Sequence, residues 1–361
     1  MKTPRLVAIA TAVPPHVVRQ EDARAFAARI FASTVRDDPR LIEVFDHARI
    51  DQRHSCVPLD WLVSGRSFAE RNDLYIEHAV RLADEVARLV LARARMSPRD
   101  IDHLVFVSST GLATPGIDAH LANRLDFRAD FRRTPIWGLG CAGGAVGLSR
   151  ARDFARADPS SRVMVIALEL CSLAFLPDDT SKRNLVAASL FGDGAAAAIV
   201  VGGEVEGAGN PKHRALELVA ARSVFWKDTL DVMGWSLEDA GLRVVFSRDI
   251  PAIVLEKVRP GLTGFLDDRG LGLSDIRHVV AHPGGIKVLR AYAQALGLPD
   301  AALDHARNVL RDYGNMSSPS CLFVLERFLA AGDIGPADHA LVMALGPGFA
   351  AEYLLARGSA D

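Results

Sequence analysis

Cys141 is the residue of this chain best placed for covalent chemistry. It follows an apolar run and a glycine-rich corner, and it precedes a helix-like stretch from Leu148 to Arg156. A thiol at the first turn of a helix meets unpaired backbone N–H groups and the positive end of the helix dipole, which favour the thiolate. The pattern therefore predicts a nucleophile at Cys141, although a cysteine in an apolar setting is more often an inert core residue.

Two other residues are predicted to complete an acyl-transfer site with this thiol. His282 ends the apolar run that begins at Val279, at the point where strands of α/β folds expose their functional groups. Asn315 follows a glycine, as Cys141 does, and occupies a comparable place in the second half of the chain. A thiolate paired with an imidazolium can attack a thioester, and the His and Asn N–H groups can donate to the resulting oxyanion.

The elements that position these residues are predicted to occur twice. Apolar residues recur at helical spacing from Ala69 to Arg95, and a buried strand is predicted from His103 to Ser108. The second half repeats this order, with a helical pattern from Ala252 to Leu266 followed by the segment Gly272 to Val280. This segment matches Ser97 to Val105 at Asp, Ile, His and Val, at nearly the displacement that separates Cys141 from Asn315. Coincidence among common apolar segments is the alternative explanation.

We interpret the repeat as two α/β halves with mostly parallel, largely buried sheets. A second pair of strand-like runs, Val165 to Leu168 and Val342 to Leu345, recurs at a closely similar displacement. Glycines cluster near the predicted junction from Gly202 to Pro211. The predicted N-terminal half is residues 1–207, which carries the cysteine, and the C-terminal half is residues 208–361, which carries the histidine and the asparagine.

Composition narrows the class of protein. The chain has 361 residues, 49% of them hydrophobic, a formal net charge of -2 and four cysteines. The small net charge argues against nucleic acid as a partner, and the lack of an apolar run of about 18 residues argues against membrane insertion. Four cysteines without a CxxC pair predict neither a disulfide framework nor a metal site, and this favours the cytoplasm as the location.

Six ordered motifs resemble the type III polyketide synthases of the chalcone and stilbene synthase superfamily. The motifs are Trp137-Gly-Leu-Gly-Cys141-Ala-Gly-Gly, Leu190-Phe191-Gly-Asp-Gly194, Gly241-Leu-Arg-Val-Val-Phe-Ser-Arg-Asp-Ile-Pro251, Ala281-His282-Pro-Gly-Gly, Tyr313-Gly-Asn315-Met-Ser-Ser and Leu345-Gly-Pro-Gly-Phe349. The similarity runs from Pro4 to Leu355, which is nearly the whole chain. Any one motif is weak evidence for this family, but the six motifs in this order are specific to it.

The resemblance implies a thiolase fold, in which two duplicated αβαβα halves form a five-layered core, and it implies a homodimer. It also implies condensation of an acyl-CoA starter with malonyl-CoA, without an acyl carrier protein, a metal or any cofactor beyond the CoA thioester substrates. Cys141 would hold the growing chain as a thioester. His282 and Asn315 would stabilise the enolate derived from malonyl-CoA and the later oxyanion. Phe191 would be the aromatic gate between the CoA tunnel and the cavity, and packing in the core is the alternative role for its side chain.

Four further positions bear on the substrate. Val244 and Ala174 stand where plant chalcone synthases have a phenylalanine and a threonine. The smaller side chains predict a wider or longer cavity, unless bulk elsewhere compensates. They point to bacterial-type members that take fatty acyl starters and release alkylpyrones or alkylresorcinols. Cys171 and Ser317 are further candidates for the lining of this cavity.

Two expectations from the resemblance concern the surface. Arg53 and Arg49 would lie near the mouth of a CoA tunnel, where guanidinium groups can bind phosphates, although arginines in a charged segment are often simply solvated. Thr114 would fall in the loop that crosses the dimer interface.

Other functions are compatible with the same residues. A ketoacyl-ACP synthase III also uses Cys, His and Asn, but it normally follows its His with a Gln-Ala-Asn type sequence instead of Pro283-Gly-Gly285. A single-step enzyme that joins two acyl chains also fits. A Cys-dependent hydrolase would pass the acyl group to water, and a catalytically silent scaffold would leave Cys141 unreactive.

Overall fold

The computed structural model describes residues 2–209 and 215–359, so the last two residues of the predicted junction lie outside the described part. The described residues form thirteen strands and eleven α-helices, numbered here in chain order. The strands are β1 (Arg5–Ala12), β2 (His16–Arg19), β3 (Gln52–Ser55), β4 (His103–Val107), β5 (Arg132–Ile136), β6 (Arg162–Leu170), β7 (Asp193–Val201), β8 (Leu216–Phe225), β9 (Met233–Glu238), β10 (Gly241–Phe246), β11 (Ile276–Ala281), β12 (His339–Gly346) and β13 (Ala350–Gly358). The helices are α1 (Gln20–Ile30), α2 (Ala32–Asp37), α3 (Val44–His47), α4 (Phe68–Ala94), α5 (Ile117–Ala122), α6 (Gly143–Ala157), α7 (Lys182–Leu190), α8 (Ile250–Asp267), α9 (Ile286–Leu296), α10 (Asp304–Tyr313) and α11 (Ser318–Ala331).

Nine of the described strands form one mixed sheet to which both halves of the chain contribute. Its order is β11-β12-β13-β8-β1-β7-β6-β4-β5. The five strands from β1 to β5 in this order come from the N-terminal half, and the other four come from the C-terminal half. The two sets meet where β1 pairs with β8 through two residue pairs, Arg5 with Glu217 and Leu6 with Leu216. The large sheet therefore consists of an N-terminal part and a C-terminal part, called here the N-terminal sheet and the C-terminal sheet, which join between β1 and β8.

The prediction of mostly parallel sheets is wrong. The pairs β4–β5, β4–β6 and β11–β12 are parallel, whereas β6–β7, β7–β1, β1–β8, β8–β13 and β13–β12 are antiparallel. Helical crossovers produce parallel pairs, and these crossovers are what the sequence pattern detects. β12 and β13 are instead joined by a tight turn at Pro347 and Gly348, which requires antiparallel pairing.

The two halves repeat the same local geometry, as the sequence repeat predicts. The Asp100 carboxylate accepts a hydrogen bond from the backbone N–H of Ser97 at 2.7 Å, and the Asp275 carboxylate accepts the equivalent bond from Gly272 at 2.7 Å. A strand near one end of the nine-stranded sheet follows in each half, β4 after Asp100 and β11 after Asp275. The neighbours correspond too, because β4 pairs in parallel with β6 and β11 pairs in parallel with β12.

Five layers of secondary structure pack on one another. α4 covers the N-terminal sheet through β1, β6 and β7, and α8 with its neighbour α9 covers the C-terminal sheet through β13. Between the sheets, α6 and α11 contact each other and strands of both halves. Ala145 and Leu148 of α6 belong to the same buried apolar cluster as Leu322 and Val324 of α11. One core therefore joins the two halves and holds the starts of both central helices in place.

The helix predicted from Ala69 to Arg95 is confirmed by α4. Its start is fixed by a capping box, in which the Glu70 carboxylate accepts from the Ser67 N–H at 2.9 Å and the Ser67 hydroxyl accepts from the Glu70 N–H at 3.2 Å. Among the described helices, none combines the length and the apolar character that crossing a bilayer requires.

Candidate active site

Cys141 lies where the N-terminal half turns from its sheet into a central helix. β5 ends at Ile136, and a short 3₁₀ turn from Gly140 to Ala142 leads directly into α6. Gly140 has a φ of 43°, a left-handed conformation that residues with a Cβ rarely adopt. The thiol is thereby held at the start of a buried helix, and only 6% of the residue is exposed.

Two glycines after Cys141 let the central helices begin in contact. A Cβ on Gly144 would collide with the carbonyl oxygen of Ser318, and a Cβ on Gly143 would collide with the Val107 side chain. Ser318 is the first residue of α11. The bare glycine backbone thus brings Cys141 close to the residues that precede α11.

Asn315 occupies the position before α11 that corresponds to Cys141 before α6. Its backbone N–H donates to the Leu190 carbonyl at 2.8 Å, and its own carbonyl accepts from the Gly192 N–H at 3.0 Å. Its side-chain amide donates to the Gly284 carbonyl at 3.3 Å, and its Oδ1 accepts from the Ser317 N–H at 2.8 Å. The end of α7 and the loop after β11 together fix the orientation of the carboxamide.

His282 follows β11 directly and extends its pairing, because its N–H donates to the Met343 carbonyl at 2.8 Å. The side chain is buried, and neither ring nitrogen has a hydrogen-bond partner among the described residues. The ring packs against Gly284, where an added Cβ would lie 3.6 Å from Nε2. The imidazole and the Asn315 carboxamide therefore face the same loop.

Asn315 connects the other two predicted residues, because it lies beside the Cys141 thiol and beside the loop that carries His282. Hydrogen bonds from the Asn315 and Ser317 side chains act on the Cys141 thiol, and Asn315 also reaches the loop against which His282 packs. A thiol, an unpartnered buried imidazole and a carboxamide supply a nucleophile, a base and an oxyanion donor. These are the groups that transfer of an acyl group from a thioester requires.

Burial sets the protonation states of this site. It raises the pKa of the Cys141 thiol to about 11, although hydrogen bonds from Ser317 and Asn315 act in the opposite direction. It lowers the pKa of the His282 imidazole to about 3. The start of the helix favours the thiolate, but the loss of hydration on burial outweighs this effect on the pKa of the free thiol. Proton transfer from Cys141 to His282 creates both charges together, and their mutual attraction offsets part of the cost.

Ser317, which was predicted to line the substrate cavity, lies directly beside the Cys141 thiol. It is buried, and its backbone has a φ of 58° and a ψ of -128°, a combination that favours glycine. The hydrogen bond from its N–H to Asn315 holds this conformation. The strained backbone thus keeps the hydroxyl within reach of the Cys141 thiol, whose pKa it lowers.

Sequence reasoning missed a buried carboxyl group beside the trio. Glu169 accepts hydrogen bonds from the Ser109 N–H at 2.9 Å, the Thr110 hydroxyl at 2.9 Å and the Ser318 hydroxyl at 2.8 Å. Burial raises the pKa of Glu169 to about 7 in spite of these bonds, and its charge raises the pKa of the Cys141 thiol. A single glutamate directly after the apolar run of residues 163–168 in β6 was the available signal, since charged residues are rarely buried without a partner.

A small space lies beside Phe191 and Cys171 and is called here the inner cavity. Its lining includes Phe191, Cys171, Ala174 and Val244, so the structure brings together four of the residues predicted to contact substrate. Its volume is about 80 Å³, below the range of about 300–1,000 Å³ that is usual for ligand pockets. The prediction of a wider cavity does not hold for this space, because Trp235 pairs with Val244 across the β9–β10 hairpin and supplies bulk.

Two walls of the inner cavity connect it to the trio. Phe191 forms a β-bridge with Asn315, and its ring centre lies 6.4 Å from that of Trp235. Burial, followed by nearby charges that include that of Cys141, raises the pKa of the Cys171 thiol. Phe191 and Cys171 therefore stand between the nucleophile and the rest of the cavity.

The prediction that Arg53 meets CoA phosphates is wrong. Its side chain is 5% exposed and donates to the carbonyl oxygens of Phe191 at 3.2 Å and Ser189 at 3.1 Å, to the Ala188 carbonyl and to the Gln20 side chain. These carbonyls end α7, where the helix dipole favours a cation. Arg53 lines the inner cavity, and its structural effect is to hold the end of α7.

A larger open cleft leads from the surface to the loop beside His282 and is called here the outer cleft. Its volume is about 690 Å³, and its inner wall includes Gly284, which accepts the Asn315 amide. Two carboxylates, Asp231 and Asp249, are part of its lining. Its four cationic lining residues, all exposed, are Lys182, Arg183, Arg248 and Lys287. These cations, with the N-terminus of α9, suit a substrate that has phosphates at one end and a thioester at the other.

The sequence predicted no metal site, and it predicted Arg49 near the mouth of a CoA tunnel. Among the described residues, no group of three or more His, Cys, Asp or Glu side chains could hold a metal ion. The exposed Arg49 is not part of the lining of the outer cleft.

Family comparison matches both halves of the chain. The family model for the N-terminal domain of chalcone and stilbene synthases matches residues 2–204, and the model for the C-terminal domain matches residues 217–360. The boundary predicted after residue 207 falls between the two matched ranges.

Curated relatives are similar along nearly the whole chain. A putative chalcone synthase of Bacillus subtilis (strain 168) is 41% identical, and the match covers 97% of each chain. A 1,3,6,8-tetrahydroxynaphthalene synthase of Streptomyces peucetius is 38% identical over 98% of this chain and 92% of the relative. An alpha-pyrone synthesis polyketide synthase-like protein of Mycobacterium tuberculosis is 31% identical over 96% of this chain and 89% of the relative.

A solved structure has the same fold. The 1,3,6,8-tetrahydroxynaphthalene synthase of Streptomyces coelicolor A3(2), described as a bacterial type III polyketide synthase, superimposes with a TM-score of 0.92. The two chains are 28% identical, and the match covers 99% of this chain and 100% of the other. This agreement confirms the predicted α/β thiolase fold.

Proposed function

Because the chain belongs to the chalcone and stilbene synthase family of type III polyketide synthases, we propose that it condenses malonyl-CoA units onto an acyl starter held on Cys141. The observation that carries this proposal is that the Asn315 side chain lies beside the Cys141 thiol and beside the loop of His282, with all three residues buried. The chain is thus an acyltransferase. The proposed reaction has two steps, loading of the starter and condensation with malonyl-CoA.

Loading transfers the starter from CoA to the enzyme. His282 accepts the thiol proton, and the Cys141 sulfur attacks the thioester carbonyl of the acyl-CoA. The tetrahedral oxyanion accepts a hydrogen bond from the Asn315 amide, then collapses and expels the CoA sulfur, which takes the proton from the imidazolium. The unpartnered ring nitrogens of His282 support this role, because no described group competes for the proton.

Condensation uses the same donors a second time. The bond between the carboxylate and the methylene carbon of malonyl-CoA breaks, carbon dioxide leaves, and the electron pair forms an enolate whose oxygen accepts from His282 and Asn315. The enolate carbon attacks the thioester on Cys141, and the cysteine sulfur leaves as the new carbon–carbon bond is complete. A preorganised donor of this kind contributes about 3 kcal/mol to the transition state.

The outer cleft is the proposed site for CoA. Lys182 and Arg183 at the start of α7, and Lys287 at the start of α9, have no ion-pair partner within 4 Å among the described residues. Phosphates bound there leave the pantetheine arm to run inward to Gly284, beside His282. No described feature calls for a carrier protein, so we expect free CoA thioesters to be the substrates.

We propose a fatty acyl starter and release of an alkylpyrone or alkylresorcinol. The similarity to a relative named for alpha-pyrone synthesis supports this. A second candidate is condensation of malonyl units alone. It is favoured by the small inner cavity and by relatives named for 1,3,6,8-tetrahydroxynaphthalene, a product without an alkyl chain.

We also propose a homodimer in the cytoplasm. The loop that holds Thr114 is exposed between β4 and α5, with Leu112 and Trp137 exposed at 38% and 54%. Exposed apolar side chains grouped around one loop are typical of an interface between subunits. All four cysteines are free, which suits a reducing compartment.

The test is a product analysis of the purified protein with malonyl-CoA and acetyl-, hexanoyl-, dodecanoyl- and palmitoyl-CoA in turn. We expect mass spectrometry to detect pyrones or resorcinols that retain the starter, together with release of carbon dioxide. Neither products nor carbon dioxide with any starter would refute the proposal. A malonyl-only product that is unchanged by every starter would select the second candidate.

Two variants separate the proposed roles. Cys141→Ala removes the attachment point and should abolish loading while some malonyl decarboxylation remains, since His282 and Asn315 are intact. His282→Ala should impair both steps. Equal loss of loading and decarboxylation in Cys141→Ala would contradict this division.

A further inference from the structure

Residues 188–192, which end α7 and lead into β7, are held in place by Arg53 and are called here the α7 end segment. The Arg53 guanidinium donates to the carbonyl oxygens of Ser189 at 3.1 Å and Phe191 at 3.2 Å, and also to that of Ala188. Burial lowers the pKa of Arg53 only to about 10, so the group keeps its charge at neutral pH. Hydrogen bonds from a charged donor are stronger than those from a neutral one. Arg53 therefore fixes three carbonyl groups of the segment.

Asn315 binds backbone groups of the α7 end segment that Arg53 does not bind. The Leu190 carbonyl accepts from the Asn315 N–H at 2.8 Å, and the Gly192 N–H donates to the Asn315 carbonyl at 3.0 Å. These bonds hold Asn315 to the segment before and after Phe191, with which it forms a β-bridge. The carboxamide starts from this backbone, so its position depends on where the segment lies.

The stem of Arg53 lies against both chain segments that this bridge joins. A Cβ added to Gly192 would lie 3.1 Å from the Arg53 Cβ, and a Cβ added to Gly314, the residue before Asn315, would lie 3.5 Å from it. The two glycines let both segments approach Arg53 closely. Arg53 thus contacts the bridge through its stem and holds the segment through its guanidinium.

Arg53 is in turn held by its neighbours. The next residue on β3, His54, stacks on Tyr313 at the end of α10, with the ring centres 5.9 Å apart. The Gln20 side chain, at the start of α1, accepts a hydrogen bond from the guanidinium and donates to the Ser189 carbonyl at 3.1 Å. The guanidinium cannot leave its place without breaking several hydrogen bonds. The contacts therefore run from α1 and β3 through the α7 end segment to the site.

We propose that Arg53 is a positioning residue: through the α7 end segment it holds the Asn315 carboxamide beside the Cys141 thiol and within reach of the enolate oxygen, without contact to CoA. The inference rests on the proposed function and adds a residue that acts through Asn315. A group that is misplaced by about 1 Å can lower the rate by about 100-fold. Positioning and CoA binding differ in their kinetics, because loss of a contact to CoA raises KM and loss of position lowers kcat.

The main test compares two buried arginines that both donate to backbone carbonyls. Arg152 is the matched control, since its guanidinium donates to Leu218 at 3.0 Å and Val219 at 2.6 Å and lines neither the inner cavity nor the outer cleft. Arg53→Lys keeps the charge but replaces the planar guanidinium with a single nitrogen. The kcat for carbon dioxide release from malonyl-CoA should fall by at least about tenfold in Arg53→Lys with KM within about twofold, whereas Arg152→Lys should leave both constants unchanged. A raised KM with an unchanged kcat in Arg53→Lys, or an equal loss of kcat in both variants, would overturn the inference.

A double variant tests whether Arg53 acts through Asn315. Asn315→Ala removes the carboxamide, so Arg53→Lys should lower kcat by less than about twofold further in that background. Single losses that multiply in the double variant would mean that Arg53 acts by another route, which would refute the positioning role.

The pH profile of Cys141 alkylation by iodoacetamide is a second readout, and it needs no substrate. The Asn315 side chain lowers the pKa of the thiol through a hydrogen bond. Displacement of this side chain in Arg53→Lys should move the profile up by about half a pH unit or more, and Arg152→Lys should leave it in place. Gln20→Met removes an acceptor of the guanidinium and should move the profile in the same direction, which provides the test if Arg53→Lys does not fold. A profile that is unmoved in both Arg53→Lys and Gln20→Met would contradict the positioning role.

The outcomes separate this inference from the proposed function. A wild type that releases no carbon dioxide from malonyl-CoA with any starter refutes the synthase proposal, and the alkylation profile still decides whether Arg53 positions Asn315. A wild type that forms polyketides while Arg53→Lys matches it in kcat and in the alkylation profile refutes the positioning role and leaves the synthase proposal intact.

Discussion

At the residue scale, the charge state of Cys141 depends on a partner and not on the helix alone. Burial raises the pKa of the thiol to about 11 when it faces a neutral imidazole, and it lowers the pKa of His282 to about 3. Neither charge is favourable by itself in a site with so little water. The thiolate is therefore expected only as one member of a pair formed by proton transfer to His282.

Alkylation by iodoacetamide as a function of pH tests this coupling. We expect the wild type to react at neutral pH, because His282 takes the proton, and His282→Ala to react only as the pH approaches about 11. The rate at pH 7 should fall by at least about tenfold, since each pH unit below the pKa removes nine-tenths of the thiolate. His305→Ala, which removes a partly exposed histidine paired with Asp333, is the control. Identical pH profiles for wild type and His282→Ala would disprove the pairing.

The buried Glu169 carboxyl group is expected to make the stability of the fold depend on pH. Its pKa is raised from 4.5 to about 7 in the folded protein, mainly by burial. The folded state thus holds this proton more tightly, so its contribution to stability is complete below pH 4.5 and is lost as the pH rises through 7. Between pH 4.5 and 8 the loss amounts to about 3 kcal/mol.

Glu169→Gln, which cannot ionise, should remove this loss. Urea unfolding at pH 5 and pH 8 measures it: the wild type should lose about 2–3 kcal/mol more stability than the variant between the two pH values. Glu256→Gln, at an exposed position of α8, should follow the wild type. A pH dependence that persists unchanged in Glu169→Gln would mean that the carboxyl is already ionised at pH 5.

Arg53 lines the inner cavity, but its burial contradicts the phosphate-binding role predicted from the sequence. This burial was not predictable, because the sequence does not distinguish an arginine that binds phosphate from one that binds carbonyl groups. The determining fact is that the end of α7 lies beside Arg53, which places the carbonyls of Ser189 and Phe191 around the side chain. Sequence patterns do not encode such long-range partners.

Arg53→Met should leave these buried carbonyls without a donor. We expect a loss of at least about 3 kcal/mol in the free energy of unfolding, since each unsatisfied buried group costs about 1–3 kcal/mol. Arg53→Lys keeps a charge and three donors, so it should recover part of the loss. Urea titration measures both variants, and equal stability of Arg53→Met and wild type would show that water can replace the guanidinium.

At the element scale, periodic apolar patterns predicted helices and strands, but the pairing of antiparallel strands joined by tight turns was not predicted. The helix α4, the strands β4, β6 and β12 and the repeat of the two halves all follow from apolar spacing and breakers. The antiparallel centre of the sheet did not, because an apolar run has the same appearance in either direction. The β9–β10 hairpin was not predicted either, and its Trp235 fills the space that the small Val244 would leave.

The contact between α6 and α11 is the element-scale feature on which the site depends. Gly144→Ala would force the Ser318 carbonyl and the start of α11 away from α6. We expect a loss of about 1–3 kcal/mol or more from overpacking, and reduced activity because Cys141 and Asn315 separate. Gly264→Ala in α8 is the matched control, since no described atom lies within 4 Å of its added Cβ. It should raise stability by about 0.5–1 kcal/mol through helix propensity. Thermal unfolding of both variants makes the comparison, and a neutral Gly144→Ala would show that the helices are not in close contact.

At the scale of the whole molecule, the duplication explains why the site lies where it does. Each half supplies one central helix, and the residues before those helices meet at the junction of the halves. The sequence repeat predicted this meeting because equivalent positions in two packed copies face one another. The volumes of the spaces around it depend on many side chains at once, and for this reason no single substitution predicted them.

The same arrangement predicts that the halves unfold together. α6 and α11 contribute to one buried cluster with strands of both halves, so neither sheet can lose its partner without exposing that core. Differential scanning calorimetry should show a single transition, with a calorimetric enthalpy close to the van't Hoff enthalpy. Gly144→Ala, which acts at the shared interface, should shift this transition to lower temperature as a whole. Two separated transitions, one of them unmoved by Gly144→Ala, would instead identify the halves as independent domains, and the shared core would then contribute little to the stability of either.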